Sequence, residues 1–365
     1  SKCKNKKATG VDRMPNEIIK NKNVAHFLLK LYNKCFTMDM VPGTWLQGIL
    51  YPIRKCASND ARVPLTYSGR CLLSTVSKVY TSLLNTRLQT FIEENDLLVV
   101  EQNGFRKGRS CEDHIFSLTS IIRNRKRANL DTFAAFIDFK KAFDFVNRDL
   151  LLYKLLKNDI DGHMYNAIKS LYHNTEACVQ LNEHFTGWFV TQCGVRQGDS
   201  LSPTLFSIFL NDLATELKSK SCGIKLEEED LCVLLYADDI VVLSDNEKDL
   251  QTLLDTIHHW CHKWQLVINE KKSQIVHFRK KNKVRTLLEF KLGGVVLDIV
   301  DRYKYLGIVV DEFLDYNVTA ECLAVGGGRA LGALNTKFKA IKNMGVDTYS
   351  KLFENCVIPV LHYGA

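Results

Sequence analysis

Residues 231–244 read LCVLLYADDIVVLS. Two runs, 231–235 and 240–243, are apolar and rich in β-branched side chains, the composition of strands, and Tyr236-Ala237-Asp238-Asp239 lies between them. The pattern predicts a hairpin with two carboxylates at its tip. Like charges about 4 Å apart repel by roughly 4 kcal/mol at an effective dielectric near 20, so such a pair between apolar strands calls for compensation. A divalent metal supplies it. Hard cations such as Mg²⁺ are held by one or two carboxylates plus substrate phosphates, and two such ions activate the attacking and leaving oxygens of a phosphoryl transfer. A solvated turn carries the same residues, because Asp is a common turn former, and a Tyr-x-Asp-Asp string arises by chance in roughly one chain of this length in twenty. A third carboxylate elsewhere would separate the two readings.

Residues 132–139, TFAAFIDF, form a nearly continuous apolar run of strand length interrupted by one acid, Asp138. A lone carboxylate at the end of a buried strand is costly unless paired, and ligating a metal is one way to pair it. The helix expected over 140–155 carries Phe143, a core residue or a wall for a nucleotide sugar, and Asp144, read as a cap or surface group.

Composition bounds the rest. With 365 residues and 46% hydrophobic content, the chain can bury one large core or two to three subdomains. Its net charge of +8 favours polyanionic partners. Twelve cysteines are scattered singly without C-x-x-C spacing, as expected of free thiols in a reducing compartment. No apolar run of about 18 residues occurs and the N-terminus is basic and polar, so a soluble, intracellular protein, nuclear or cytoplasmic, is expected. The chain starts with Ser1 and reads as a piece of something longer.

Several other stretches carry charge next to glycine. Residues 45–55 (WLQGILYPIRK) read as a strand ending in cations, 59–70 (NDARVPLTYSGR) as an Arg-bearing loop, and 72–88 as a helix. Residues 101–110 (EQNGFRKGRS) offer a cradle for phosphate oxygens, since glycine lets backbone approach closely. No G-K-S/T follows, which excludes a Walker loop. The basic cluster 123–127 reads either as a nucleic-acid contact or as a match to a helix C-terminus. In residues 193–217 a polar loop, Gly194 to Asp199, precedes Ser202 and Pro203, read as N-cap and first-turn proline, and a helix with Leu205, Phe209, Leu213 and Leu217 at four-residue spacing. His258, His259 and His262 lie on a later amphipathic helix without a partner cluster for a metal. Residues 265–278 read strand, turn, strand with Lys271 and Lys272 in the turn, and 279–285 form a further basic run.

In this order the pieces resemble the reverse transcriptase domain of non-LTR (LINE-type) retrotransposons over nearly the whole chain. The residues that carry it are TGVD at 9–12, PIRK at 52–55, LLSTVSKVY at 72–80, EQNGFRKGRS at 101–110, FIDFKKAFD at 136–144, GVRQGDSLSP at 194–203, YADD at 236–239, the Asn269/Lys272 turn and YKYLG at 303–307. The resemblance implies an α+β right-hand polymerase fold with an antiparallel palm sheet backed by helices. It implies fingers over 1–130 with an N-terminal extension, a palm over 131–310 interleaved with fingers segments around 145–190, and a truncated thumb or connection from 311 to 365. Function is then RNA-directed DNA synthesis from a dNTP onto a DNA primer 3′-hydroxyl along an RNA template. Two Mg²⁺ ions, replaceable by Mn²⁺, would be held by Asp138, Asp238 and Asp239. Phe143 falls where the family excludes a ribose 2′-hydroxyl, and Gln197 and Gly198 match the loop along the incoming base pair. Tyr236 also belongs to the substrate side, Lys55 and Arg70 are candidate triphosphate cations, and Lys272 matches the lysine that protonates pyrophosphate. No endonuclease motif is present, so a nuclease is expected outside this stretch; nothing in the sequence sets an oligomeric state. One departure stands out: the family pattern places Arg where this chain has Ser68, within Tyr67-Ser68-Gly69-Arg70. That motivates an alternative, a decayed or repurposed copy that binds RNA without polymerising. An RNA-directed RNA polymerase shares the palm carboxylates and is disfavoured by Phe143.

Overall fold

The computed structural model describes residues 5–54, 60, 62–63, 66–226, 229–341 and 345–364. Its principal strands, in chain order, are β1 (Gln47–Arg54), β2 (Tyr67–Leu73), β3 (Thr132–Ile137), β4 (Glu176–Leu181), β5 (Phe189–Val190), β6 (Val233–Tyr236), β7 (Asp239–Ser244), β8 (Gln274–Phe278), β9 (Asp298–Ile299), β10 (Arg302–Tyr305) and β11 (Ile308–Asp311). The principal helices are α1 (Lys22–Thr37), α2 (Thr75–Glu94), α3 (Cys111–Arg127), α4 (Arg148–Lys157), α5 (Gly162–Tyr172), α6 (Ser202–Lys218), α7 (Glu247–Trp264), α8 (Tyr316–Ala340) and α9 (Val346–Cys356). The chain divides into two compact units, one made of residues 1–100, 140–212 and 261–267 and the other of 101–139, 213–260 and 268–365.

The second unit holds a five-stranded sheet in the order β9-β8-β3-β7-β6. All its pairings are antiparallel except the edge pair β8–β9. β3 sits at the centre with all six residues buried, which is why its sequence is a continuous apolar run rather than an alternating one. Helix α3 presents Ile115, Leu118, Ile121 and Ile122 to the same core as Phe136, Leu234, Val241 and Val276, the face its spacing predicts. Ser110 and Asp113 close a capping box at its start, and Arg125, Lys126 and Arg127 occupy its last turn. Two of those cations are engaged locally: Arg125 donates to Thr132 Oγ1 and the Asp131 carbonyl, and Lys126 to the Phe313 carbonyl.

The run 279–285 is held by acids: Arg279 and Arg285 both bond Glu312, and Lys283 bonds Asp131. Strands β10 and β11 form a hairpin of their own, and Tyr303 of β10 stacks on Phe136 at 4.1 Å between ring centres.

In the first unit β1 pairs antiparallel with β2 and parallel with β4, and β5 adds to β4. Here the sequence expectation needs correction. Residues 67–73 are strand rather than loop and helix, because all seven pair with β1, from Gly48 opposite Leu73 to Arg54 opposite Tyr67; α2 starts only at Thr75, capped by Ser74. Ser202 also differs from its reading as a cap. It already lies within α6, and its hydroxyl donates to the Arg196 carbonyl at 2.7 Å, while Leu201 supplies the preceding carbonyl that accepts from Leu205 N–H. The four-residue stripe of α6 is as expected, with Leu205, Phe209, Leu213 and Leu217 all buried. Among the described residues the cysteines are free thiols, and no helix is long and apolar enough to cross a membrane.

Phe136→Ala removes a buried ring from the centre of this core, between Tyr303 and Tyr305, and is expected to lower the unfolding free energy by about 3–5 kcal/mol. Urea denaturation measures it, and a loss below about 1 kcal/mol would mean that the sheet is not the core assigned here.

Candidate active site

The hairpin forms as its composition predicts, with one refinement. Asp239 is the first residue of β7 and pairs with Tyr236, so the two-residue tip is Ala237-Asp238. Ala237 has φ +56°, a region that favours glycine, so the turn is held by its surroundings rather than by local preference. In the β7–β3 register Ile240 faces Ile137, and the next residues at that end are Asp239, the first of β7, and Asp138, just past β3. Two acids separated by 101 residues (239 − 138) are thereby placed at the same end of two central strands.

Asp138 is fixed on every side by the 269–273 turn. Its N–H donates to Ser273 Oγ at 3.1 Å, its carbonyl accepts from Asn269 N–H at 2.7 Å, and its Oδ2 accepts from Asn269 Nδ2 at 2.8 Å. Lys272 Nζ stands 3.7 Å from the same carboxylate oxygen.

A second support was not legible as such. Residues 101–104, expected as a phosphate cradle, run alongside β6: Leu235 N–H donates to the Glu101 carbonyl and Asn103 N–H to the Leu235 carbonyl, both at 3.0 Å. The buried Gln102 carboxamide oxygen accepts from Gly104 N–H at 2.8 Å and from Ala237 N–H at 3.3 Å. A Cβ on Gly104 would lie 2.2 Å from the Ala237 nitrogen. The run EQNG thus clamps the carboxylate tip, and its buried Gln beside a glycine is the only sequence signal of that role. Arg106 and Arg109 turn back onto Gln102 and Asn103, leaving Lys107 exposed.

Phe143, Gln197, Gly198 and Arg70 lie in the first unit. Phe143 is half-buried and stacks on Phe206 at 4.4 Å; its carbonyl accepts from Val195 N–H. Gln197 Nε2 donates to Asp144 Oδ1 at 2.7 Å, and Gly198 has φ +81°. Loop 194–199 is therefore stitched to the segment after Phe143, with Arg196 buried and donating to the Trp45 carbonyl. Arg70 is exposed on β2, and Lys55 lies outside the described residues. Tyr236 turns its ring edge onto His114. Among the described residues no three His, Cys, Asp or Glu side chains form a ready-made metal-ligand group, the histidines of α7 included.

Residues 65–310 match the family model described as reverse transcriptase (RNA-dependent DNA polymerase). The chain belongs to the reverse transcriptase family. Relatives include the probable RNA-directed DNA polymerase from transposon BS of Drosophila melanogaster, 27% identical over 98% of this chain and 40% of its own length. The RNA-directed DNA polymerase from mobile element jockey of the same fly is 24% identical over 98% of this chain and 39% of its own. Both agree with the resemblance to non-LTR elements, and the chain spans about two fifths of each. Apo telomerase from Candida tropicalis, truncated from its C-terminal domain, superposes with a TM-score of 0.53 over 80% of this chain and 60% of its own at 13% identity. Telomerase of the same yeast in complex with a TWJ fragment of telomeric RNA gives 0.53 over 93% and 56%, at 12% identity. The fold is that of a right-hand polymerase, and the family as a whole depends on divalent metal.

In this member of the reverse transcriptase family the acids are in conflict. Burial raises the Asp238 carboxyl above the ordinary range and Asp138 adds to the shift, against its own backbone hydrogen bond and Lys272. Asp239 is pushed up to about 6 by desolvation, then by repulsion from Asp238 and Asp138, although the residue keeps an open edge. Tyr303 is pushed up to about 12, first by burial and then by Asp239 and Asp138. A carboxyl raised on folding favours the folded state below its unfolded value and loses that contribution as pH climbs through its folded one. For Asp239 the window runs from 3.8 to about 6. Asp239→Asn is therefore expected to raise the metal-free melting temperature at pH 7.5 and to leave it unchanged at pH 3.5. A variant less stable than wild type at pH 7.5 would show that the acids do not repel. Gly104→Ala is expected to cost stability through the same clamp, and an unaltered melting temperature would deny it.

Proposed function

We propose that this chain is the polymerase region of a non-LTR retrotransposon reverse transcriptase, which extends a DNA primer on an RNA template, with Asp138, Asp238 and Asp239 as its metal-holding acids. The observation that carries the reading is the register of β7 on β3, which brings Asp239 and Asp138 to the same end of the central sheet, with both hairpin acids raised first by burial and then by neighbouring carboxylates, Asp138 for Asp238 and both Asp238 and Asp138 for Asp239. Such a donor set fits Mg²⁺, which takes hard oxygen ligands and completes its shell with phosphate and water rather than with a full protein cage. When bound, the divalent ions supply charge neutralisation to the attacking 3′-hydroxyl and to the departing pyrophosphate.

The chain's own residues do the rest. Asn269 and Ser273 keep the Asp138 carboxylate aimed, and Gln102 with Gly104 keeps Asp238 at a rigid tip, the positioning that phosphoryl transfer chiefly demands. Lys272, mostly exposed and beside Asp138, is a mobile cation able to give its proton to pyrophosphate. Phe143, backed by Phe206, presents a rigid ring to exclude a ribose 2′-hydroxyl. Gln197, oriented by Asp144, and Gly198, where a side chain would crowd the Cys71 carbonyl, would line the incoming base pair. Tyr236 borders that substrate side. Arg70, with Lys55, would meet the triphosphate in place of the arginine that Ser68 replaces.

The test is primer extension with purified protein. Asp138→Ala and Asp238→Asn should each lower Mg²⁺-dependent incorporation on the order of 10³-fold with the far-UV spectrum intact. Retention of wild-type rates would reject the assignment. Salt-sensitive RNA binding without extension by the wild-type chain would identify a copy that has kept its grip and lost its chemistry.

A further inference from the structure

The turn between β10 and β11 is built from two residues in the left-handed region, Leu306 at φ +42° and Gly307 at φ +94°. Such a pair matches the twist of a two-residue hairpin, but a bulky leucine rarely adopts it. Tyr363 holds it there. Its hydroxyl donates to the Leu306 carbonyl at 2.7 Å, and its ring covers Gly307 so closely that a Cβ there would come within 2.8 Å of the ring edge. Gly364 follows against Ile308 and Ile115, and Tyr363 itself packs on the core that contains Phe136 and Tyr305.

The same hydroxyl reaches toward the carboxylate hairpin. Cys111, the first residue of α3, lies near both Tyr363 and Tyr236, the residue just before the tip, and its charge helps raise both phenols. A second path runs in parallel, from the Tyr236 ring to His114 and from His114 Nδ1 to the Tyr305 hydroxyl at 3.4 Å. What these paths hold steady is β10, whose Tyr303 stacks on Phe136, the residue two before Asp138.

We infer that Tyr363 is a positioning residue for nucleotidyl transfer: through its bond to the Leu306 carbonyl it locks the β10–β11 hairpin, and with it Tyr303, beside the paired acids. The inference rests on the polymerase reading above. Its test is pre-steady-state primer extension, in which burst amplitude reports the active fraction and burst rate the positioned chemistry. Tyr363→Phe keeps the ring over Gly307 and deletes only the hydroxyl. The burst rate should fall about tenfold with amplitude and melting temperature unchanged. Tyr349→Phe, whose hydroxyl bonds Asn335 instead, should keep both. A wild-type burst rate in Tyr363→Phe, or a loss of amplitude alone, overturns the inference. A wild-type chain that extends no primer under any divalent ion rejects the polymerase reading and this inference with it.

Discussion

Repulsion between carboxylates at the ends of two buried strands is the constraint around which the second unit is arranged. A sheet whose central strand is wholly buried tolerates an ionised acid only at its end, and here three acids stand at one end with Lys272, mostly exposed, as nearby opposite charge. Left alone, such a cluster would open the hairpin or protonate. The structure instead over-determines it. The 269–273 turn grips Asp138 through both backbone groups and the side chain, and residues 101–104 grip the tip through Gln102 and the close approach of Gly104. On the polymerase reading proposed above, rigid acids that repel one another would form a site prepared for a cation, and preparation of that kind is how electrostatic catalysis avoids reorganisation during the reaction.

Local pattern made part of this visible. The apolar runs on both sides of Tyr236-Ala237-Asp238-Asp239 define the hairpin, the single acid closing a strand-length apolar run defines Asp138, and the four-residue stripe from Leu205 to Leu217 defines α6. Each of these depends on residues within a few positions of one another. What stayed hidden depends on distant partners. The strand Tyr67–Leu73 looks like a loop until β1 is beside it. The basic run 279–285 is only a block of like charge until Glu312 and Asp131 arrive to neutralise much of it. Residues 101–110 have the glycines and cations of a phosphate cradle, yet the first four complete the edge of β6. In all three cases a charge or a glycine serves the fold, and only its long-range neighbour reveals it.

The resemblance to reverse transcriptases succeeded where composition alone could not, because ordered motifs tie together segments that periodicity treats separately. It also named Asn269 and Lys272 as one turn, and the geometry gives that pairing a physical meaning: the asparagine orients the acid and the lysine tempers its charge. The residues expected to meet the nucleotide are similarly built on fixed supports, Phe143 on Phe206 and Gln197 on Asp144.

The most direct measurement is the carboxyl titration of Asp239 followed by NMR of selectively labelled protein, without and with Mg²⁺. Repelling acids poised for a cation predict a midpoint near 6 in the metal-free protein and a fall below the ordinary aspartate range once Mg²⁺ is added. A midpoint at the ordinary value that ignores the ion would contradict the account.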